Sequence, residues 1–133
     1  MLKKSCIGFV WWLLGFIVGM LALCFLPWQD EQMLIRLMML MMTWYMAGLS
    51  FHIWRTEQIY WYNGTSYEEA EAAGPERRKV FAWKHFRLFG LFALLQTVLS
   101  GAMLLLGWSA WIDFAFATVG LIVTVFRTVP IKL

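Results

Sequence analysis

Two charged residues stand inside long apolar runs of this chain, and they are its first candidates for chemistry. Arg36 lies about one turn into the run that starts near Met33, and Asp113 about one and a half turns into the run that starts near Trp108. A charge in mid-membrane costs at least ~2.5–3.5 kcal/mol on the insertion scale, so each needs a partner. On a helix Arg36 shares a face with Thr43, Ala47 and Ser50, while Asp113 shares one with Ala117, Gly120 and Thr124. Both charges therefore sit on small, polar faces and at similar depth. A salt bridge between them is predicted, with Gln96 deeper below it. Such an intramembrane polar column has two readings. It is a substrate or ion path in a small homo-oligomeric transporter or channel, or it is a structural staple, with Arg36 alternatively snorkelling to the headgroups.

Other reactive residue types do not assemble. Met33, Met38, Met39, Met41, Met42 and Met46 carry soft sulfur that suits copper. They go round most of one helix, however, as adaptable apolar packing does. Cys6, His52 and His85 fall near one membrane boundary without CxxC or HxxxH spacing. Cys6 and Cys24 share one apolar helix, ~27 Å apart, too far to bridge. No nucleophile–base pair, paired carboxylates or phosphate-cradling glycine loop is visible. The sequence points to no enzyme, no metal site and no cofactor.

The elements that must position Arg36 and Asp113 follow from the apolar runs. Of 133 residues, 62% are hydrophobic and 14% charged, against about a quarter charged in a soluble domain. Four spans are predicted at about 6–28, 33–54, 86–106 and 108–126, the last two joined by a tight turn at Gly107. The fold class is an all-α integral membrane four-helix bundle, antiparallel, in a single domain. Lys3 and Lys4 precede the first span. Arg55, Arg77, Arg78, Lys79, Lys84 and Arg87 lie between the second and third, and Arg127 and Lys132 follow the fourth. Arg36 alone is basic on the other side, beside Asp30 and Glu31. The positive-inside bias then puts both termini and the long loop in the cytoplasm. Trp54, Tyr60, Trp61, Tyr62 and Trp83 mark the inner boundary; Trp28, Trp108 and Trp111 mark the outer one. The net charge of +3 is orientation charge, not a sign of nucleic acid.

The first span is too long for a signal peptide and lacks a small-x-small cleavage site. Leu21–Cys24 departs from a lipoprotein box because Leu23 is large, so the span is read as retained. Gly8, Gly15, Gly19 and Ala22 share one face of it, with a GxxxG match at Gly15–Gly19. Ala93, Thr97 and Gly101 recur at four-residue spacing in the third span, with Gln96 and Ser100 adjacent. Such faces suit packing within the chain; a homodimer is the alternative.

Residues 55–85 form the one substantial polar segment. Asn63–Gly64 is a turn dipeptide. Asn63–Thr65 matches a glycosylation acceptor, but on this topology it faces the cytoplasm. Ser66 and Glu69 fit a capping box, opening a short amphipathic helix that Gly74 ends and Pro75 restarts. The basic run Arg77–Arg78–Lys79 follows. It is a docking surface for a cytoplasmic protein or for anionic lipid heads, or it only fixes topology.

The run from Tyr62 to Glu69, followed by Lys84 to Gly90, resembles a pattern in small multi-span bacterial membrane proteins of unknown function. In those a Tyr-Asn-x-x-Ser-x-Glu-Glu loop joins one span to a following pair, and some are grouped with toxin-immunity proteins. The resemblance covers roughly residues 55–90; this chain adds the Ala-Gly-Pro segment and an extra first span. It implies the bacterial cytoplasmic membrane. The expected function is a non-enzymatic accessory or interaction protein presenting its basic loop to a partner. Toxin immunity and a role beside a transporter both fit.

Overall fold

The computed structural model describes residues 2–27, 30–62 and 64–133. The expectations resting on Trp28 at the outer boundary and on Asn63 in its turn and acceptor motif lie outside the described residues. Four helices make the fold: α1 (Ile7–Phe25), α2 (Glu31–Thr56), α3 (Tyr67–Leu105) and α4 (Ala110–Thr128). A 3-10 turn at Ile59–Trp61 lies between α2 and α3. All four helices are long and apolar enough to cross a membrane. The protein is an all-α, four-helix, multi-pass membrane protein.

Local chemistry explains where the helices stop and start. The Asp30 carboxylate accepts the Gln32 N–H at 2.9 Å and opens α2. After α3, Gly107 takes φ 67°, a left-handed conformation that glycine adopts without strain. Trp108 N–H then donates to the Met103 carbonyl at 2.9 Å, and Gly107 N–H to that of Leu104 at 3.2 Å. This closes the helix end and reverses the chain. Ser109 starts α4, its hydroxyl accepting the Trp111 N–H at 3.3 Å.

α3 is two helices joined at a kink. The Ser66 hydroxyl accepts the Glu69 N–H at 3.1 Å, and the Glu69 carboxylate accepts the Ser66 N–H at 2.9 Å. Gly74 interrupts the helix at φ 78° and ψ 164°, and Pro75 restarts it. From 75 to 105 the helix runs ~46 Å, longer than the ~30 Å hydrocarbon core. Its first turns therefore stand outside the membrane at the basic end.

α2, α3 and α4 form the core. Their packing buries Thr43, Ala47 and Ser50 of α2, Ala93, Gln96 and Ser100 of α3, and Ala110, Asp113 and Ala117 of α4. Small side chains let the backbones approach closely, which is how helices associate in lipid. Gly120 lies so close to the Phe92 ring that no Cβ fits. The four-residue stripe expected in the third span is corrected here. Ala93 packs inward together with Phe89, Gln96 and Ser100, whereas Thr97 and Gly101 are exposed. A strict spacing of four drifts round a helix of 3.6 residues per turn, while alternating three and four stays on one face. Thr97 instead accepts the Trp44 indole N–H at 2.8 Å.

α1 is peripheral and has no buried residue. Its glycine face is turned to α2 and the 3-10 turn. A Cβ at Gly8 would meet the Trp61 ring at 2.8 Å, one at Gly15 the Tyr45 hydroxyl at 2.5 Å, and one at Gly19 the Met41 methyl at 3.3 Å. The Tyr45 hydroxyl donates to the Trp12 carbonyl at 2.8 Å. The GxxxG face thus packs within the chain.

Candidate functional site

Two polar constellations stand out, one at each end of the bundle. At the end away from the basic loop, Gln32 and Arg36 lie one turn apart on α2 and grip the start of α4. Arg36 Nη1 is ion-paired with Asp113 Oδ2, and Arg36 Nη2 donates to the Trp108 carbonyl. Gln32 Oε1 accepts the Ala110 N–H at 2.6 Å. Arg36 is 4% exposed and Asp113 0%, so the pair is screened by neither water nor salt. Asp113 also lies in the first turn of α4, where the helix dipole favours a negative charge.

Gln96 is fully buried beside this pair. Its Nε2 donates to the backbone carbonyl of Asp113 at 3.4 Å, not to the carboxylate. Gln96 Oε1 and Asp113 Oδ1 are buried acceptors without a donor among the described residues. The structure therefore brings Arg36, Asp113 and Gln96 together. It adds Gln32 and the Trp108 carbonyl, which sequence reasoning missed. The signal was there for Gln32, since it precedes Arg36 by one helical turn on the same face.

At the basic end, the loop is a folded cap. Glu57 closes α2 with φ 62°, a conformation that costs a non-glycine residue ~1–3 kcal/mol. Arg78 holds it there: Nε and Nη2 donate to Glu57 Oε2 at 3.1 and 2.8 Å, and Nη1 donates to the Ala70 carbonyl at 3.1 Å. One guanidinium thereby ties the end of α2 to the two parts of α3. Arg78 is 9% exposed, which corrects its assignment to an outward docking surface. Arg77 and Lys79 remain exposed, with Lys79 Nζ 3.9 Å from Glu57 Oε1.

The N-terminal segment is hooked onto this cap. The Tyr60 hydroxyl accepts the Ser5 N–H at 2.8 Å and lies 2.6 Å from the Lys3 and Ser5 carbonyls, to either of which it donates. Lys4 Nζ pairs with Glu68 at 3.1 Å and sits 5.2 Å from the centre of the Tyr67 ring. The Glu68 carboxyl is held below the usual carboxylate range, first by a backbone N–H and then by Lys4. Neither Glu57 nor the Tyr60 hook was visible in the sequence, because each joins residues far apart in the chain.

Compared with known protein families, with curated proteins and with solved structures, the chain matches none. Its function must be read from these residues. The two imidazoles are engaged in aromatic stacks: His52 lies on Trp61 with 5.8 Å between centroids, and His85 on Tyr62 with 4.2 Å. His85 Nδ1 donates to the Phe81 carbonyl at 3.0 Å. Cys6 is exposed. Among the described residues no group of three or more His, Cys, Asp or Glu is placed to hold a metal ion. Burial pushes the Tyr62 phenol above the usual tyrosine range, so the hydroxyl stays protonated.

Proposed function

We propose that this protein is a non-catalytic accessory component of a membrane, and that its basic end is a preformed docking platform for a protein partner. The observation that carries this reading is the Glu57–Arg78 clasp. A segment needed only to join two spans and mark topology requires charge, not a buried arginine joined to three backbone elements. Here the clasp, the capping box and the Tyr60 hook fix the shape of a surface whose Arg55, Lys79, Lys84 and Arg87 are exposed. A fixed surface loses little entropy on binding. An acidic partner surface at the cytoplasmic face of a bacterial membrane is its complement, in line with the immunity-protein resemblance of residues 55–90. In this reading the Arg36–Asp113 pair is a staple, since both charges are spent on each other and on the start of α4.

The test is co-purification from the native membrane. Arg55→Gln with Lys79→Gln should release the partner while leaving helix content and insertion unchanged. Retention of the partner by that variant would contradict the platform.

One observation favours a second reading. Asp113 Oδ1 and Gln96 Oε1 are buried acceptors lacking a donor among the described residues, on two residues joined by the Gln96 Nε2 hydrogen bond to the Asp113 carbonyl, and a proton or small cation is what such acceptors would take. The polar column would then belong to a small homo-oligomeric transporter. Flux through liposomes that Asp113→Asn abolishes, with folding intact, would favour this reading over the staple.

A further inference from the structure

Between α1 and α4 a cavity of 1180 Å³ opens in the half of the molecule that carries the basic cap. It exceeds the ~300–1,000 Å³ typical of pockets for small molecules. Its origin is the packing of α1. The glycine face draws that helix onto α2 and the 3-10 turn, and α1 and α4 make no extensive contact with each other. The gap between them is lined by Phe9, Trp12 and Phe16 from α1, and by Phe81 and Phe89 from α3. At its basic end stand Arg77 and Lys132. Neither forms an ion pair among the described residues. Glu69 is the acidic residue of the lining, and its Oε2 is held by the Ser66 N–H.

We infer that this cavity holds one acyl chain of an anionic membrane phospholipid, with the lipid phosphate between Arg77 and Lys132. Three observations fix the occupant's chemistry. Tyr45, Leu49 and Ile53 line the cavity at four-residue spacing within the membrane-spanning part of α2, so it runs ~12 Å along the helix axis there. That is close to the ~15 Å of one leaflet of hydrocarbon. Phe9, Trp12, Phe16, Leu49 and Phe89 line it from within the spans, whereas Arg77 and Lys132 lie beyond the span ends, the polarity order of a phospholipid. Finally, the unpaired cations lie where headgroups lie, and each adds attraction for an anionic lipid. This inference does not depend on the docking platform, which uses Arg55 and Lys79 outside the cavity.

The experiment is native mass spectrometry of the purified, delipidated full chain, titrated separately with phosphatidylglycerol, phosphatidylcholine and inorganic phosphate. One phosphatidylglycerol per chain should bind, roughly tenfold more tightly than phosphatidylcholine. Millimolar phosphate should neither bind nor compete, which separates a lipid site from a free-anion site. Arg77→Gln with Lys132→Gln should erase the headgroup preference, and Lys79→Gln should leave it intact. Leu49→Trp, which adds bulk to the cavity wall, should reduce retention of both lipids. Equal affinity for the two lipids, or an unchanged preference in the Arg77/Lys132 variant, would overturn the inference. Competition by free phosphate would do the same.

Discussion

Arg78 and Glu57 are 21 residues apart in the chain, yet two guanidinium nitrogens of one close on a single carboxylate oxygen of the other, at 2.8 and 3.1 Å. The pair is nearly buried and holds a left-handed residue at the end of α2. Removing one member of such a pair leaves the other uncompensated, at a cost of about 3 kcal/mol or more. Arg78→Ala should therefore loosen residues 57–78 while the spans stay folded. Arg78→Lys should rescue little, because a point charge cannot reproduce three directed donors. Hydrogen exchange across the cap reads both effects, and Arg77→Gln is the exposed control.

The clasp at the opposite end behaves differently, because it joins helices inside the membrane. Arg36→Ala and Asp113→Ala should each lower stability by ~3–5 kcal/mol, since each leaves a buried charge or carbonyl without its partner. Arg36→Met combined with Asp113→Leu should lose less than either single change, because no charge is then stranded. Thermal unfolding in detergent measures all three. Arg36→Ala combined with Asp113→Ala, if as unstable as the sum of the two singles, would mean that the two residues act independently.

The glycines divide by what a Cβ would meet. Gly15→Ala places a methyl 2.5 Å from the Tyr45 hydroxyl and should separate α1 from α2. Gly101 has no neighbouring atom within 4 Å of a built Cβ. Gly101→Ala should thus gain ~0.5–1 kcal/mol from reduced chain entropy in the unfolded state. Opposite shifts in melting temperature are expected from the two substitutions.

Tyr62 sets a limit at high pH. Its phenol is raised above the ordinary value near 10 by burial. Below that value it is protonated in both folded and unfolded chains, and its contribution to stability is fully present. Above it the unfolded chain ionises first, so stability falls as pH rises toward the folded value. Melting temperature should decline between pH 10 and 11.5 more steeply in the wild type than in Tyr62→Phe. Parallel declines would remove Tyr62 from the account.

How much of this was legible in the sequence depends on the range of the interaction. The apolar runs, the Gly74–Pro75 break, the Ser66 capping box and the Gly107 reversal are local, and each has a residue type with a mechanism. The Arg36–Asp113 contact was legible despite its separation, since two membrane charges of opposite sign at one depth have few other partners. Arg78 was not. In the run Arg77–Arg78–Lys79 a helix turns one residue inward, but which one depends on where Glu57 lies after α2 ends. Thr97 and Gly101 lie off the buried face because a strict four-residue spacing drifts round the helix, and Gln96 and Ser100 keep that face. The cavity was invisible, because it is created by α1 choosing α2 over α4.

The central claim is that the folded basic cap serves a protein partner. Native mass spectrometry of the protein, extracted gently from its own membrane, tests it most directly. A second protein at fixed ratio is expected, lost from the Arg55→Gln/Lys79→Gln variant. Recovery as a homodimer or a lone chain, unaltered by those substitutions, would contradict it.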